Sequence, residues 1–114
     1  MEKNDFQKIL DNAEAQMRKG VLEFAILLVI ARGKTYANEI IANLQKAHLA
    51  VVEGTIYPLL SRLKNASLLD YSWEESKAGP PRKYYSITAQ GKKFLSSYEK
   101  QWQALTKSID NLKK

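Results

Sequence analysis

The chain has 114 residues, with 18 Lys and Arg against 12 Asp and Glu, a net charge of +6 and 45% hydrophobic residues; this is the balance of one globular domain near the commonest size, far from that of a disordered tail. Its lack of cysteine and its single histidine, His48, exclude disulfide frameworks and thiolate metal sites and leave an imidazole-based metal site almost no ligands, so no cofactor is expected, and the location expected is a reducing cytoplasm. The longest apolar run, 21–31, is interrupted by Glu23 and spans 11 residues, where a bilayer crossing takes about 20; it starts late and lacks a small-residue cleavage site, so neither a membrane span nor a secretory signal is expected.

In chain order, Phe6, Ile9, Leu10, Ala13, Met17, Val21, Phe24 and Leu28 recur every three or four residues and predict an amphipathic helix over about 5–31. Gly20 can let it bend or split, and Gly33 with Lys34 ends it. A shorter helix follows, with Ala37, Ile40, Ile41 and Leu44 as its apolar stripe and Thr35 as its expected N-cap. After a connector at 48–52, in which His48 reads as a loop residue, a third helix starts near Glu53 to Thr55; Pro58 removes no intrahelical bond only within the first turn, so the helix begins close to Thr55 or distorts at the proline. Ile56, Leu59, Leu60 and Leu63 point inward. Gly54, Pro58, Ser61, Arg62 and Asn65 fall on the opposite side, with small residues, a hydroxyl and an amide in place of the usual Glu and Lys mixture.

From Leu69 the period changes to two. Leu69, Tyr71 and Trp73 alternate with Asp70, Ser72 and Glu74; after Ser76-Lys77-Ala78-Gly79-Pro80-Pro81, Lys83, Tyr85 and Ile87 alternate with Arg82, Tyr84 and Ser86. Two strands joined by a turn with a basic tip are predicted. One of Tyr84 and Tyr85 belongs to the core and the other is partly exposed. Thr88 then caps a last helix, 89–113, roughly 38 Å long at 1.5 Å per residue. Its apolar residues Leu95, Tyr98, Trp102, Leu105, Ile109 and Leu112 step by three and four as a heptad seam, a pattern that packs on another helix, often of a second copy.

Charge is divided unevenly along this order. Residues 1–57 hold seven basic and seven acidic side chains, and 58–114 hold eleven and five. A polyanion suits such an excess, since each neutralised phosphate releases counterions, although a lysine-rich surface kept for solubility explains charge alone as well. The order of elements decides. Three helices, a two-stranded hairpin with a basic tip and a closing helix make a mainly α winged helix-turn-helix in a single domain, 1–114. Its winged-helix core is expected at about 15–87, an N-terminal helical extension at 1–14 and a C-terminal dimerisation helix at 88–114.

In such a fold the third helix enters the major groove, where Ser61, Arg62 and Asn65 would read base edges and Gly54 and Pro58 let the helix start approach the backbone. Thr55 and Tyr57 can donate to phosphate, and Lys77, Arg82 and Lys83 on the wing would take flanking phosphates or the adjacent minor groove. Each has a plainer role open to it: Tyr57 as packing on the hairpin, Arg62 and Lys64 as surface cations.

Two spaced blocks, Gly54-Thr55-Ile56-Tyr57-Pro58-Leu59-Leu60-Ser61-Arg62-Leu63 and Gly79-Pro80-Pro81-Arg82-Lys83-Tyr84-Tyr85-Ser86-Ile87-Thr88 followed by Gly91, resemble the PadR-like transcriptional regulators over nearly the whole chain. Tyr36 and Glu39 also fit that family, while Ala37 and Asn38 depart from its Tyr-Gly-Tyr-Glu-Ile run, which bears on any phosphate contact at Tyr36. The resemblance implies a homodimeric repressor on double-stranded DNA, with the first and last helices as the dimer interface. With one long C-terminal helix the chain looks like the small, multidrug-binding (LmrR-like) branch. That likeness implies a site for a planar aromatic effector between subunits at Trp102, with Phe24, Leu28, Leu95, Tyr98, Leu105 and Ile109 as effector-binding or interface residues; a sealed coiled-coil contact would use the same residues. Rival readings are a DNA-binding dimer without a pocket and a protein-interaction adaptor on the same fold. An enzyme is not expected, since no carboxylate pair, metal-ligand cluster, phosphate-cradling loop or nucleophile with a spaced histidine can be assembled.

Overall fold

A computed structural model describes residues 2–49 and 51–114. Helix α1 spans Lys3–Ala31, strand β1 Thr35–Tyr36, helix α2 Ala37–Lys46, helix α3 Glu53–Asn65, strands β2 Leu69–Glu74 and β3 Arg82–Ile87, and helix α4 Ala89–Leu112. The predicted elements are all present, with one addition and several shifted ends. Helix α1 starts two residues earlier than its periodicity suggests and passes through Gly20 as one element. Of the predicted connector at 48–52, Ala50 lies outside the described residues, as does Met1 of the N-terminal extension.

The addition is β1. It pairs antiparallel with β3, Thr35 opposite Tyr85 and Tyr36 opposite Tyr84, so the expected two-stranded wing is a three-stranded sheet of order β1-β3-β2. Two residues are too short for a period to register. This corrects the capping role expected of Thr35: Tyr36 holds the N-cap position without a side-chain cap bond. Thr35 is buried in the strand, and its hydroxyl donates to the Glu39 carboxylate one turn into α2.

Helices α2 and α3 end alike, and neither end uses glycine. His48 and Ser67 adopt φ of 63° and 65°. In each case that residue's amide bonds the carbonyl three back and the next amide bonds five back, Leu49 to Leu44 at 2.8 Å and Leu68 to Leu63 at 3.0 Å. These are Schellman ends, which satisfy the last carbonyls of the helix and fold a leucine back over it. Helix α3 starts at Glu53, the early end of the predicted range, so Pro58 sits inside it and leaves the Gly54 carbonyl without its ladder amide.

The core lies where α1, α2, α3 and the sheet base meet. Ile26, Leu27, Ile30, Ile40, Leu44, Ile56, Leu60, Leu63 and Leu69 are its fully buried side chains. Tyr85 belongs to it, while Tyr84 is only half-buried on the other sheet face. Helix α4 is fastened at its first turn. The Thr88 hydroxyl accepts from the Gly91 amide at 2.9 Å and donates to the Ser67 carbonyl at 2.7 Å, tying the α4 cap to the end of α3. Gly91 is required there, since a Cβ would stand 2.1 Å from the Leu68 carbonyl oxygen.

Candidate nucleic-acid interface

The buried stripe of α3, Ile56, Leu60 and Leu63, fixes what its other faces present. At 100° per residue, Gly54, Pro58, Ser61 and Asn65 fall directly opposite the core, with Tyr57 and Lys64 on one flank and Thr55 and Arg62 on the other. The contacts agree with this division. Tyr57 and Ser61 form one wall of a cleft of about 370 Å³ whose other wall is the sheet, through Tyr36, Trp73, Arg82 and Lys83. A smaller polar cleft, about 270 Å³, continues along α3 past Lys64 and Asn65 to Tyr71 and Lys83. Predicted residues far apart in sequence, Tyr36, Tyr57, Ser61, Arg82 and Lys83, therefore meet around one opening.

Alternation along β3 sends neighbouring cations to opposite sheet faces. Arg82 lies 4.3 Å above the Tyr36 ring, and Lys83 lies 3.9 Å above the Tyr71 ring with Lys64 at 5.8 Å from the same ring. Such stacking holds a cation at a set place while its charge stays open to an anion. The wing is braced from behind by Lys34, which pairs with Glu74 at 2.7 Å. Lys77 is exposed in the turn, where Gly79 takes φ of 130°. Burial pushes the Tyr85 phenol above its ordinary value of 10.0, and the Tyr57 and Tyr71 phenols add to the shift, so it remains an uncharged hydroxyl at the cleft floor.

Thr55 and Arg62 stand apart from this group. Thr55 faces a different groove, formed with Arg18, Leu22, Leu49 and Val52. Arg62, expected among the base readers, pairs instead with Glu23 of α1; the pairing ties α3 to the helix behind it. No periodicity could have found this, because the pair joins residues on different elements. Trp73 was missed in the opposite sense: it reads as an ordinary strand residue, yet it borders the larger cleft, and a tryptophan at the turn end of an alternating strand is its signal. Lys64, for which a role as a surface cation is open, borders the smaller cleft.

A family model described as the transcriptional regulator PadR-like family matches residues 26–97. The chain belongs to the PadR-like family. Among solved structures, a PadR-like transcription factor from Bacteroides fragilis is 50% identical, covering 89% of this chain and 98% of its own, with a TM-score of 0.76. A PadR family regulator from Eggerthella lenta is 28% identical over 95% of both chains, with a TM-score of 0.89. A third, from Bacillus cereus, is 39% identical over 85% of this chain and 95% of its own, with a TM-score of 0.76. This is a family of DNA-binding transcriptional regulators rather than of enzymes. Among the described residues, no helix is long and apolar enough to cross a membrane.

The second group of predicted residues in this PadR-like chain lies along α1 and α4 and is divided by the packing. Phe24 stacks on Tyr98 with ring centroids 4.7 Å apart, and the Tyr98 hydroxyl donates to the Gly20 carbonyl at 2.6 Å. Leu95 packs against the core. Leu28, Trp102, Leu105 and Ile109 are exposed, with Trp102 tilted against Phe24 at 6.4 Å. The phenol–carbonyl bond accounts for a tyrosine on the seam, a detail that the heptad pattern alone leaves unexplained.

Proposed function

We propose that the protein is a homodimeric repressor that binds a pseudo-palindromic operator through α3 and the wing. The observation that carries this reading is the shared opening: the outward face of α3 and the cationic end of the hairpin border one cleft, so a duplex engaged by one meets the other. Ser61 and Asn65 are short enough to follow base edges in the major groove. Tyr36, Tyr57, Arg82, Lys83 and Lys77 supply phosphate contacts that set the register, and Thr55 does so from the other flank, with Pro58 letting the backbone come close. Arg62 enters this set only by leaving Glu23.

The apolar stripes left open on α1 and α4 fit a second copy, and two copies would present two α3 helices to half-sites about 34 Å apart. A planar aromatic effector bound near Trp102, between the copies, would change that spacing if it favoured one dimer geometry, and would weaken operator binding by the difference. Fluorescence anisotropy with the duplex immediately upstream of the coding gene, at two salt concentrations, tests the first part. Binding should weaken steeply with salt. Asn65→Ala should lower sequence discrimination, while Lys83→Gln should weaken all duplexes alike and reduce the salt slope by about one. An affinity that ignores both changes would remove the DNA reading and favour the protein-interaction adaptor. Sedimentation of the free protein tests the dimer, and titration with planar aromatics, read by tryptophan quenching, separates an effector site from a sealed interface.

A further inference from the structure

The open edge of the wing carries a side chain that folding does not account for. Strand β2 places Leu69, Tyr71 and Trp73 on one sheet face, and exposure rises along them from 1% through 39% to 65%. A tryptophan left two-thirds in water contributes little to the core, while its ring offers a flat apolar face and its indole an N–H donor. Trp73 stands directly across the ladder from Lys83, whose ammonium is 5.8 Å from its ring. It faces Tyr57 and Ser61 of α3 across the cleft.

Geometry names the occupant. A helix in the major groove and a wing at the adjoining minor groove lie on either side of a single sugar–phosphate strand, and the gap between them is where that strand runs. The gap offers what such a strand needs: a flat apolar face for deoxyribose, the hydroxyl of Tyr57, and the cations Arg82 and Lys83 for phosphate. We propose that Trp73 is itself a nucleic-acid contact, its ring face packed on a deoxyribose and its Nε1–H donating to a phosphate oxygen, with Lys83 held beside it to neutralise that phosphate. The inference rests on the DNA-binding reading above and adds a residue and a chemistry to it. Because sugar and phosphate are common to every sequence, the contact forms on any duplex.

The test uses the full chain labelled with 5-fluorotryptophan, which reports Trp73 and Trp102 as two fluorine resonances, and Trp73→Phe assigns them. A mixed-sequence duplex at low salt is the probe, since backbone contacts dominate there. At saturation the Trp73 resonance should move and lose its H2O/D2O isotope shift. Trp73→Ala should weaken binding about tenfold, and Trp73→Phe, which keeps a ring but no donor, about threefold. The resonance is decisive even if Trp73→Ala folds poorly. A Trp73 signal that keeps its free position and isotope shift while anisotropy reports a bound duplex overturns this proposal and leaves the DNA reading intact. A wild-type chain that binds no duplex overturns both.

Discussion

The two ends of α1 are both rich in apolar residues and meet opposite fates. Ile26, Leu27 and Ile30 are sealed against α2, α3 and the sheet, whereas Phe6, Ile9 and Leu10, three turns and more upstream, are about half exposed. Helix α4 repeats the contrast, with Leu95 packed on the core and Leu105, Ile109 and Leu112 open. Periodicity specifies that a helix has an apolar face and says nothing about whether the same chain covers it. The closed part seals the core, and the family match over 26–97 spans it. The open parts leave large apolar side chains in contact with water.

The largest expected effect separates these regions directly. Ile30→Ala should cost about 2–5 kcal/mol of unfolding free energy, as a cavity in a packed core does. Ile109→Ala should leave the dilute chain within about 0.5 kcal/mol and weaken self-association instead. Denaturant titration alongside sedimentation checks both, and equal losses for the two variants in dilute solution would erase the distinction. Next is Gly91→Ala, where the new methyl meets backbone that cannot swing aside; a loss of about 3 kcal/mol is expected from overpacking, seen as a lowered denaturation midpoint.

Thr88→Ala should cost about 1 kcal/mol by removing the cap that ties α4 to the end of α3, again measured by denaturant titration. The smallest effect concerns the ion pair between Glu23 and Arg62 that ties α1 to α3. Glu23→Gln should change stability by less than about 1 kcal/mol, since Arg62 is well exposed. Released, Arg62 should raise duplex affinity about two- to threefold at low salt, with the gain fading as salt rises. Unchanged or lower affinity in an anisotropy titration would mean that Glu23 does not compete with DNA for Arg62.

Much of the candidate site is legible in the sequence because it is local. Tyr57, Pro58, Ser61 and Asn65 belong to one helix whose buried stripe sets their direction, and Arg82 and Lys83 belong to a strand flanked by turn residues. What could not be read depends on pairings between distant segments. Strand β1 exists only because β3 lies beside it. The helix ends at His48 and Ser67 escaped notice because non-glycine residues hold positive φ there, where leucines folded over the helix compensate the strain.

Composition, charge placement and two hydrophobic periods were enough to determine the element order, the basic half and the residues that a helix or strand must turn outward. Those properties repeat over a few residues and need no knowledge of what lies across the molecule. Tertiary structure alone decided that Arg62 faces Glu23, that Trp73 and Tyr57 share a cleft, and which apolar stripes stay open. Each of these is a meeting of side chains from separate elements, set by how the core packs rather than by any local preference of the chain.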